Sequence, residues 1–314
     1  MGNVLVVAEH LNGALGDVTF EMLAHAKGLA QALGGEVHAA LLGGNDEMTR
    51  QLGAASTVYS VPVGAEFDPE THAAALAAVV EKSRPQVTLV ASTSMGMDLA
   101  GACASRVGLP LVAYCTSIVY SSGTLRATSQ LYGGKMLATS DLGMGPCVAM
   151  MLPGYANADS GRTAGLPAVQ AMAAPGTAGK IRFKRLVMPP AGDVDITTKD
   201  ILVAIGRGIG KKEDIETAQE LADALGAAVA ASRPVIDAGW LPKARQVGKS
   251  GLKVKPKVYL ALGISGAPEH IEGMKASSTI IAVNTDKNAP IFDVAHYGIV
   301  GDLFEICEAL MEKL

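Results

Sequence analysis

Near-continuous apolar runs alternate with amphipathic stretches along the first ninety residues of the chain. Residues 4–8, 36–42, 57–63 and 86–91 are runs of the kind that a parallel sheet buries on both faces. Between them, residues 20–33 place Leu23, Ala26, Ala30 and Leu33 at helical spacing, and residues 46–52 predict a short helix. Asp68 and Pro69 offer a capping carboxylate and a first-turn proline to a third helix, which would bury Leu76, Val79 and Val80. Strands and helices alternating in this way predict a doubly wound α/β layer.

From residue 111 the runs shorten. Residues 117–120, 125–131, 135–139 and 148–152 are strand-like, are separated by Gly-containing turns, and predict strands and hairpins added to the first sheet. Residues 155–180, rich in Gly, Ala, Pro and Ser, predict an irregular segment before a strand near 181–188. Pro189, Pro190 and Gly192 mark a boundary between a first α/β domain over 1–188 and a second over 189–314.

The second domain opens with a strand over 201–205, followed by Gly206-Arg207-Gly208-Ile209-Gly210. A helix over 212–225 would bury Ala218, Leu221, Ala222 and Leu225. Strands over 227–231, 258–262 and 279–283 follow, and a final helix over 302–314 would bury Leu303, Ile306, Leu310 and Leu314. Each strand ends in a loop containing Gly, Ser, Arg or Asn, and open parallel sheets take ligands outside the carboxyl ends of their strands. The expected fold is α/β: two doubly wound domains, the C-terminal one a Rossmann-like parallel sheet.

Composition narrows the function classes. Hydrophobic residues are 49% of the 314 and charged ones 18%, as in a water-soluble protein with a filled core. Prolines and glycines interrupt the charge-free stretches 107–125 and 142–158, so a membrane-spanning helix is not expected. A net charge of −4 leaves no footprint for nucleic acid, and the basic run Lys180, Arg182, Lys184, Arg185 reads as a solvated hinge surface. The chain enters a strand almost at once, which leaves no leader segment and points to the cytoplasm. Cys103, Cys115, Cys147 and Cys307 have no CxxC spacing and the six histidines no HExxH, so buried thiols and no metal are expected.

The candidate chemistry lies in the second domain. GxGxG at 206–210 misses the GxGxxG dinucleotide fingerprint, and Lys243 stands where a phosphate-binding P-loop ending at Gly248-Lys249-Ser250 would need glycine. As a set the loops say more. QVGKSG at 246–251 flanks a cation and a hydroxyl with glycines, and GISGA at 263–267 has side chains small enough for a pyrophosphate to approach its backbone. Arg207 and Arg233 each follow the end of a strand, where an anion would meet them.

VAIGRG at 203–208, SRP at 232–234, RQVGKSG at 245–251, GISGA at 263–267 with His270, IAVN at 281–284, APIF at 289–292 and YGIVGDL at 297–303 occur in one order. Together these seven segments resemble the FAD domain of the electron-transfer flavoprotein α-subunit family. The first domain is similar to that family in layout, without an equally sharp motif. The resemblance implies FAD as cofactor, lined by Arg207, Ser232, Arg233, Gln246, Val247, Gly248, Lys249 and Ser250. Gly263, Ser265, Gly266, Ala267, Pro268, Glu269, His270, Asn284, Asp302 and Leu303 complete the set on the pyrophosphate and adenosine side. It further implies Ser250 near flavin N5, Arg233 against the isoalloxazine and His270 near the pyrimidine carbonyl, where a donor favours negative charge on the ring.

Four positions depart from the family pattern: Pro268 and Glu269 in place of an aliphatic residue and Gln, Lys249 in place of the commoner Gln, and His296 in place of Asp. The resemblance implies an electron carrier rather than a substrate-transforming enzyme, working as a heterodimer with a β subunit. Its donors would be flavin dehydrogenases such as acyl-CoA dehydrogenases, and its acceptor quinone-linked or another redox protein. Electron bifurcation would depend on a second flavin, held mainly by the β subunit. Two other readings stand beside this one. A dinucleotide-dependent dehydrogenase would use His270 as its acid or base, and the missing GxGxxG speaks against it. A non-redox adenine-nucleotide-binding module is opposed by the set Arg233, Ser250 and His270.

Overall fold

The computed structural model describes residues 2–163, 165–176, 180–181, 183–186 and 194–314. It divides into two compact units, Met1–Arg185 and Leu186–Leu314. Pro189, Pro190, Gly192 and Arg182 lie outside the described residues.

The first unit begins with β1 (Val4–Ala8), the small hairpin β2 (His10–Leu11) and β3 (Ala14–Leu15), and α1 (Asp17–Leu33). It continues through β4 (Val37–Leu42), α2 (Asp46–Gln51), β5 (Thr57–Val61), α3 (Pro69–Ser83), β6 (Val87–Ala91) and α4 (Ser94–Val107). The last elements are β7 (Leu111–Ser121), β8 (Thr124–Leu131), β9 (Met136–Gly143), β10 (Cys147–Met151), α5 (Ala158–Gly161) and β11 (Ala168–Ala171). Nine strands form one sheet in the order β11-β5-β4-β1-β6-β10-β7-β8-β9. It is parallel from β11 to β7 and antiparallel across β7–β8 and β8–β9. The pleat explains the apolar runs: Val4, Val6 and Ala8 pack with Phe20, Leu23 and Ala26 of α1, while Leu5 and Val7 pack with Leu76 and Val79 of α3 and Leu99 of α4. Asp68 caps α3 as its sequence predicts, accepting from the N–H groups of Glu70 and Thr71.

Several expectations need correction. α4 has no counterpart in the sequence reading, because its Gly, Ala and Ser residues give little amphipathic contrast, yet Leu99, Ala100, Cys103 and Ala104 are buried. β10 does not extend the hairpins. All five of its residues are buried, which requires cover on both faces, and it inserts in parallel between β6 and β7. The segment expected to be irregular contains α5 and β11, and β11 pairs with β5 through its backbone while all four of its residues stay exposed. The strand expected near 181–188 does not form at residues 181 and 183–186, and its remainder falls outside the described residues. The four cysteines are free thiols and buried.

The second unit contains β12 (Ile201–Ile205), α6 (Ile215–Ala224), β13 (Ala228–Ala231), α7 (Arg233–Asp237), β14 (Val258–Leu262), α8 (Pro268–Met274), β15 (Thr279–Asn284), β16 (Tyr297–Val300) and α9 (Leu303–Met311). Its five strands are all parallel, in the order β13-β12-β14-β15-β16. One face packs on α6, α7 and α9, the other on α8 and the turn at Ile291. The expected stripe on α9 is corrected: Leu303 and Cys307 are buried with Met311 beside them, whereas Leu310 and Leu314 are exposed. The helix repeats every four residues against the sheet, and the leucines counted from sequence drift off that stripe. No helix among the described residues is long and apolar enough to cross a membrane.

Candidate functional site

The strand order of the second unit reverses between β12 and β14, and the crevice beyond the carboxyl ends of such a pair is where doubly wound sheets take ligands. Two glycine loops meet there. A Cβ on Gly206 would lie 2.7 Å from Ile264 Cα, and one on Gly208 2.7 Å from Gly263 Cα. The glycines of the GxGxG run therefore let one loop lie backbone-on-backbone against the other, with the Gly208 N–H donating to the Gly263 carbonyl at 3.1 Å. Arg207 projects from this junction, exposed.

Neighbouring strand ends brace the loops. Asn284, which ends β15, donates from Nδ2 to the Ile264 carbonyl at 2.9 Å and accepts the Asp286 N–H at 3.0 Å. Asp302 caps α9 by accepting the Phe304 N–H at 2.7 Å, and Leu303 packs beneath, close to Gly263. The Ser265 carbonyl takes the Ile291 N–H, which fixes the run through Gly266 to Ala267, where α8 starts at Pro268 with no side-chain cap.

The loop 246–251 is laid beside β13 and onto α8. The Val247 N–H donates to the Ala231 carbonyl at 2.9 Å, and the Lys249 N–H to the Glu269 carbonyl at 2.7 Å. Gly273 and Gly248 meet so closely that a Cβ on Gly273 would lie 2.5 Å from Gly248 Cα. The Gln246 side chain, 1% exposed, donates to Ser250 Oγ at 3.0 Å and accepts from Lys243 Nζ at 2.7 Å. Lys249, Ser250 and Glu269 are exposed above it.

Two buried polar atoms at this edge have no hydrogen-bond partner among the described residues: Ser232 Oγ, at the end of β13, and His270 Nδ1, in the first turn of α8. Such atoms cost about 1–3 kcal/mol unless a ligand or water satisfies them. The other nitrogen of His270, Nε2, lies 3.0 Å from the fully buried Tyr259 hydroxyl. Burial pushes the His270 imidazole down to about 4 and the Tyr259 phenol up, so both are neutral near pH 7. A backbone contact at Val247 works the opposite way on His270, and it falls short of a full hydrogen bond to Nδ1.

The sequence-derived residues of the glycine loops, the strand ends and the 246–251 loop thus converge on one edge of the sheet. Arg233 does not join them: its side chain is 68% exposed and pairs with Asp237 one turn along at 3.1 Å. An exposed pair of this kind is worth little and exchanges its partner readily. His296 belongs to the opposite, amino-terminal edge, where its Nδ1 accepts the Ile280 N–H at 2.9 Å. A hollow in the first unit, lined by His25, Thr116 and Tyr155 among others, contains none of these residues. Sequence reasoning missed Tyr259 and the role of Lys243. The one signal for Tyr259 was a hydroxyl-bearing ring inside an otherwise apolar strand.

The arrangement fits a flavin dinucleotide: tight glycine turns at a switch point, the exposed cations Arg207 and Lys249, and two buried polar atoms without a partner among the described residues. Comparisons with known proteins agree. The model of the electron transfer flavoprotein FAD-binding domain matches residues 195–275, and that of the electron transfer flavoprotein domain matches residues 4–177. The chain is 37% identical to the electron transfer flavoprotein subunit alpha of Methylophilus methylotrophus, over 100% of this chain and 99% of that one. Identity is also 37% with the subunit alpha of Thermoanaerobacterium thermosaccharolyticum, over 99% and 97%. It is 34% with subunit LctC of the lactate dehydrogenase (NAD(+),ferredoxin) of Acetobacterium woodii, over 99% of this chain and 76% of that one. The chain belongs to the electron-transfer flavoprotein family, as an α subunit.

Proposed function

We propose that the second unit holds FAD along the carboxyl edge of its sheet and that, with a β subunit, the chain relays electrons between other redox proteins. The observation that carries the placement is the pair of partnerless buried atoms, Ser232 Oγ and His270 Nδ1, beside the glycine loops of the β12/β14 switch point. FAD supplies the redox centre, which takes up and gives up electrons without a substrate being transformed by the protein.

The residues of the chain bind and tune it. The backbone of Ser265, Gly266 and Ala267, with Asn284 and Asp302 near by, receives the pyrophosphate and adenosine side, and Arg207 and Lys249 balance phosphate charge. Val247 and Gly248 form the wall of the ring, and Ser250 presents its hydroxyl to N5. His270 contributes a neutral ring, because burial keeps it unprotonated, and so polarises the pyrimidine side as a dipole rather than as a full charge. Arg233 supplies the full charge by leaving its exposed pairing with Asp237. Pro268 and Glu269 set the entry of α8, and the Glu269 carbonyl anchors the 246–251 loop through Lys249 N–H.

The first unit faces the β subunit. Exposed Val119, Tyr132, Met136 and Leu137 on and beside β7–β9 give that extension an apolar character that a partner would cover. Flavin dehydrogenases such as acyl-CoA dehydrogenases are the proposed donors, a quinone-linked protein the proposed acceptor, and the cytoplasm the proposed site of action. The likeness to a subunit of an NAD- and ferredoxin-linked dehydrogenase favours a second reading, a part in an electron-bifurcating complex. One experiment addresses both. The chain is co-purified with its β subunit and the released flavin is counted: one FAD per heterodimer supports simple relay, and two support bifurcation. A colourless complex that FAD cannot reconstitute sinks the proposal.

A further inference from the structure

Lys243 lies outside the residues assigned to FAD, yet it closes the loop that carries them. An ammonium group has three donors and no acceptor. Lys243 Nζ donates to Gln246 Oε1 at 2.7 Å and to the Ser250 carbonyl at 2.8 Å. The amide of Gln246 has an accepting end and a donating end, and the cation claims the first. The second end then faces Ser250, where Nε2 donates to Oγ at 3.0 Å. A serine hydroxyl holds one hydrogen and two acceptor sites. Receiving the amide N–H fills an acceptor site and leaves the hydroxyl hydrogen to be given outward, from the exposed side of the loop.

We propose that Lys243 is a positioning residue: through Gln246 it fixes the polarity of the Ser250 hydroxyl, so that flavin N5 meets a hydrogen donor. The inference rests on the placement of Ser250 at N5 given above. Without the cation, the amide's remaining partner among the described residues is the Ser250 hydroxyl, which can donate or accept and so suits either orientation. In the reversed one its carbonyl takes the hydroxyl hydrogen, and Ser250 offers N5 only lone pairs. A donor at N5 favours cofactor states in which that nitrogen carries no proton.

The test replaces N5 itself. In 5-deaza-FAD a C–H group stands at that position and cannot accept a hydrogen bond. The heterodimer is stripped of flavin, and its dissociation constants for FAD and 5-deaza-FAD are measured by fluorescence titration. The wild-type chain should favour FAD by about five- to tenfold, the value of one hydrogen bond. Ser250→Ala and Lys243→Met should both bring the ratio close to one. Gln246→Glu keeps an acceptor for Lys243 and so keeps the loop closed, but its carboxylate takes the hydroxyl hydrogen; it too should abolish the preference. A wild-type ratio retained in Lys243→Met or Gln246→Glu, with the preference lost in Ser250→Ala, overturns the role of Lys243 and leaves the N5 placement standing. A wild-type ratio near one overturns the N5 placement, and the inference with it.

Discussion

Replacing Gly273 with alanine tests whether the seating of the 246–251 loop on α8 governs cofactor binding. The added Cβ would lie 2.5 Å from Gly248 Cα, against an ordinary contact of 3.4 Å or more. Backbone faces it on the loop side, so relief requires the loop and the helix to part by nearly 1 Å. Two hydrogen bonds span the junction, Lys249 N–H to the Glu269 carbonyl at 2.7 Å and Val254 N–H to the Gly273 carbonyl at 2.8 Å. A separation of that size stretches both past hydrogen-bond length. At about 1 kcal/mol each the loss is roughly 2 kcal/mol, offset by up to about 1 kcal/mol because alanine favours helix more than glycine does. The net cost to stability is on the order of 1 kcal/mol, and Gln246 to Ser250 shift relative to the glycine loops. FAD affinity should fall by tenfold or more, as the loss of one or two contacts implies. Urea unfolding gives the first number and flavin titration the second. Gly101→Ala in α4 is the control: its Cβ meets nothing within 4 Å, so it should gain roughly 0.4–1 kcal/mol and bind FAD normally. A Gly273→Ala heterodimer with unchanged flavin affinity and an undiminished urea midpoint would refute the reasoning.

Three further outcomes follow from the same geometry. His270 is lowered to about 4 from its ordinary 6.5, so the unfolded chain binds the extra proton; the stability it protects is complete above pH 6.5 and is lost progressively as pH falls from there to about 4. His270→Gln should remove up to about 3 kcal/mol of that acid loss, read from urea unfolding at pH 7 and pH 4.5, and equal pH dependence in both proteins would count against a buried neutral ring. Arg233→Ala breaks only an exposed pair and should change stability by less than about 0.5 kcal/mol while lowering the flavin midpoint potential; an unaltered potential removes Arg233 from the ring. His296→Asp keeps an acceptor for the Ile280 N–H at the far edge of the sheet and should leave FAD affinity unchanged, so a tenfold change would show coupling across the strands.

The sequence made the parallel strands readable because burial on both faces turns them into unbroken apolar runs, as at Val4–Ala8 and Val258–Leu262. The site loops were readable for a related reason: strand ends packed backbone-on-backbone accept only glycine, and Gly206, Gly208 and Gly263 record that contact. What escaped was set by non-local geometry. The insertion of β10 between β6 and β7, the return of β11 to β5 and the drift of Leu310 from the α9 stripe depend on which surfaces meet, not on local pattern. The links from Tyr259 to His270 and from Lys243 to Gln246 are single hydrogen bonds between residues whose types suit many other roles. Arg233 was readable as a strand-end cation, yet its pairing with Asp237 was not.

The placement of β11 and β10 sets a timetable for synthesis. When the ribosome has made the chain through β6, the strands β5-β4-β1-β6 are complete and both flanks of that sheet are open. The flank at β6 waits for Cys147–Met151, and the flank at β5 waits for Ala168–Ala171. At ordinary elongation rates the second delay is roughly 5 to 20 s. Throughout that interval β5 displays unpaired backbone groups, the template on which sheets join to one another. The first unit is therefore the part of this chain most in need of a chaperone, and truncations that end before residue 168 should aggregate during expression even though most of the core is already encoded.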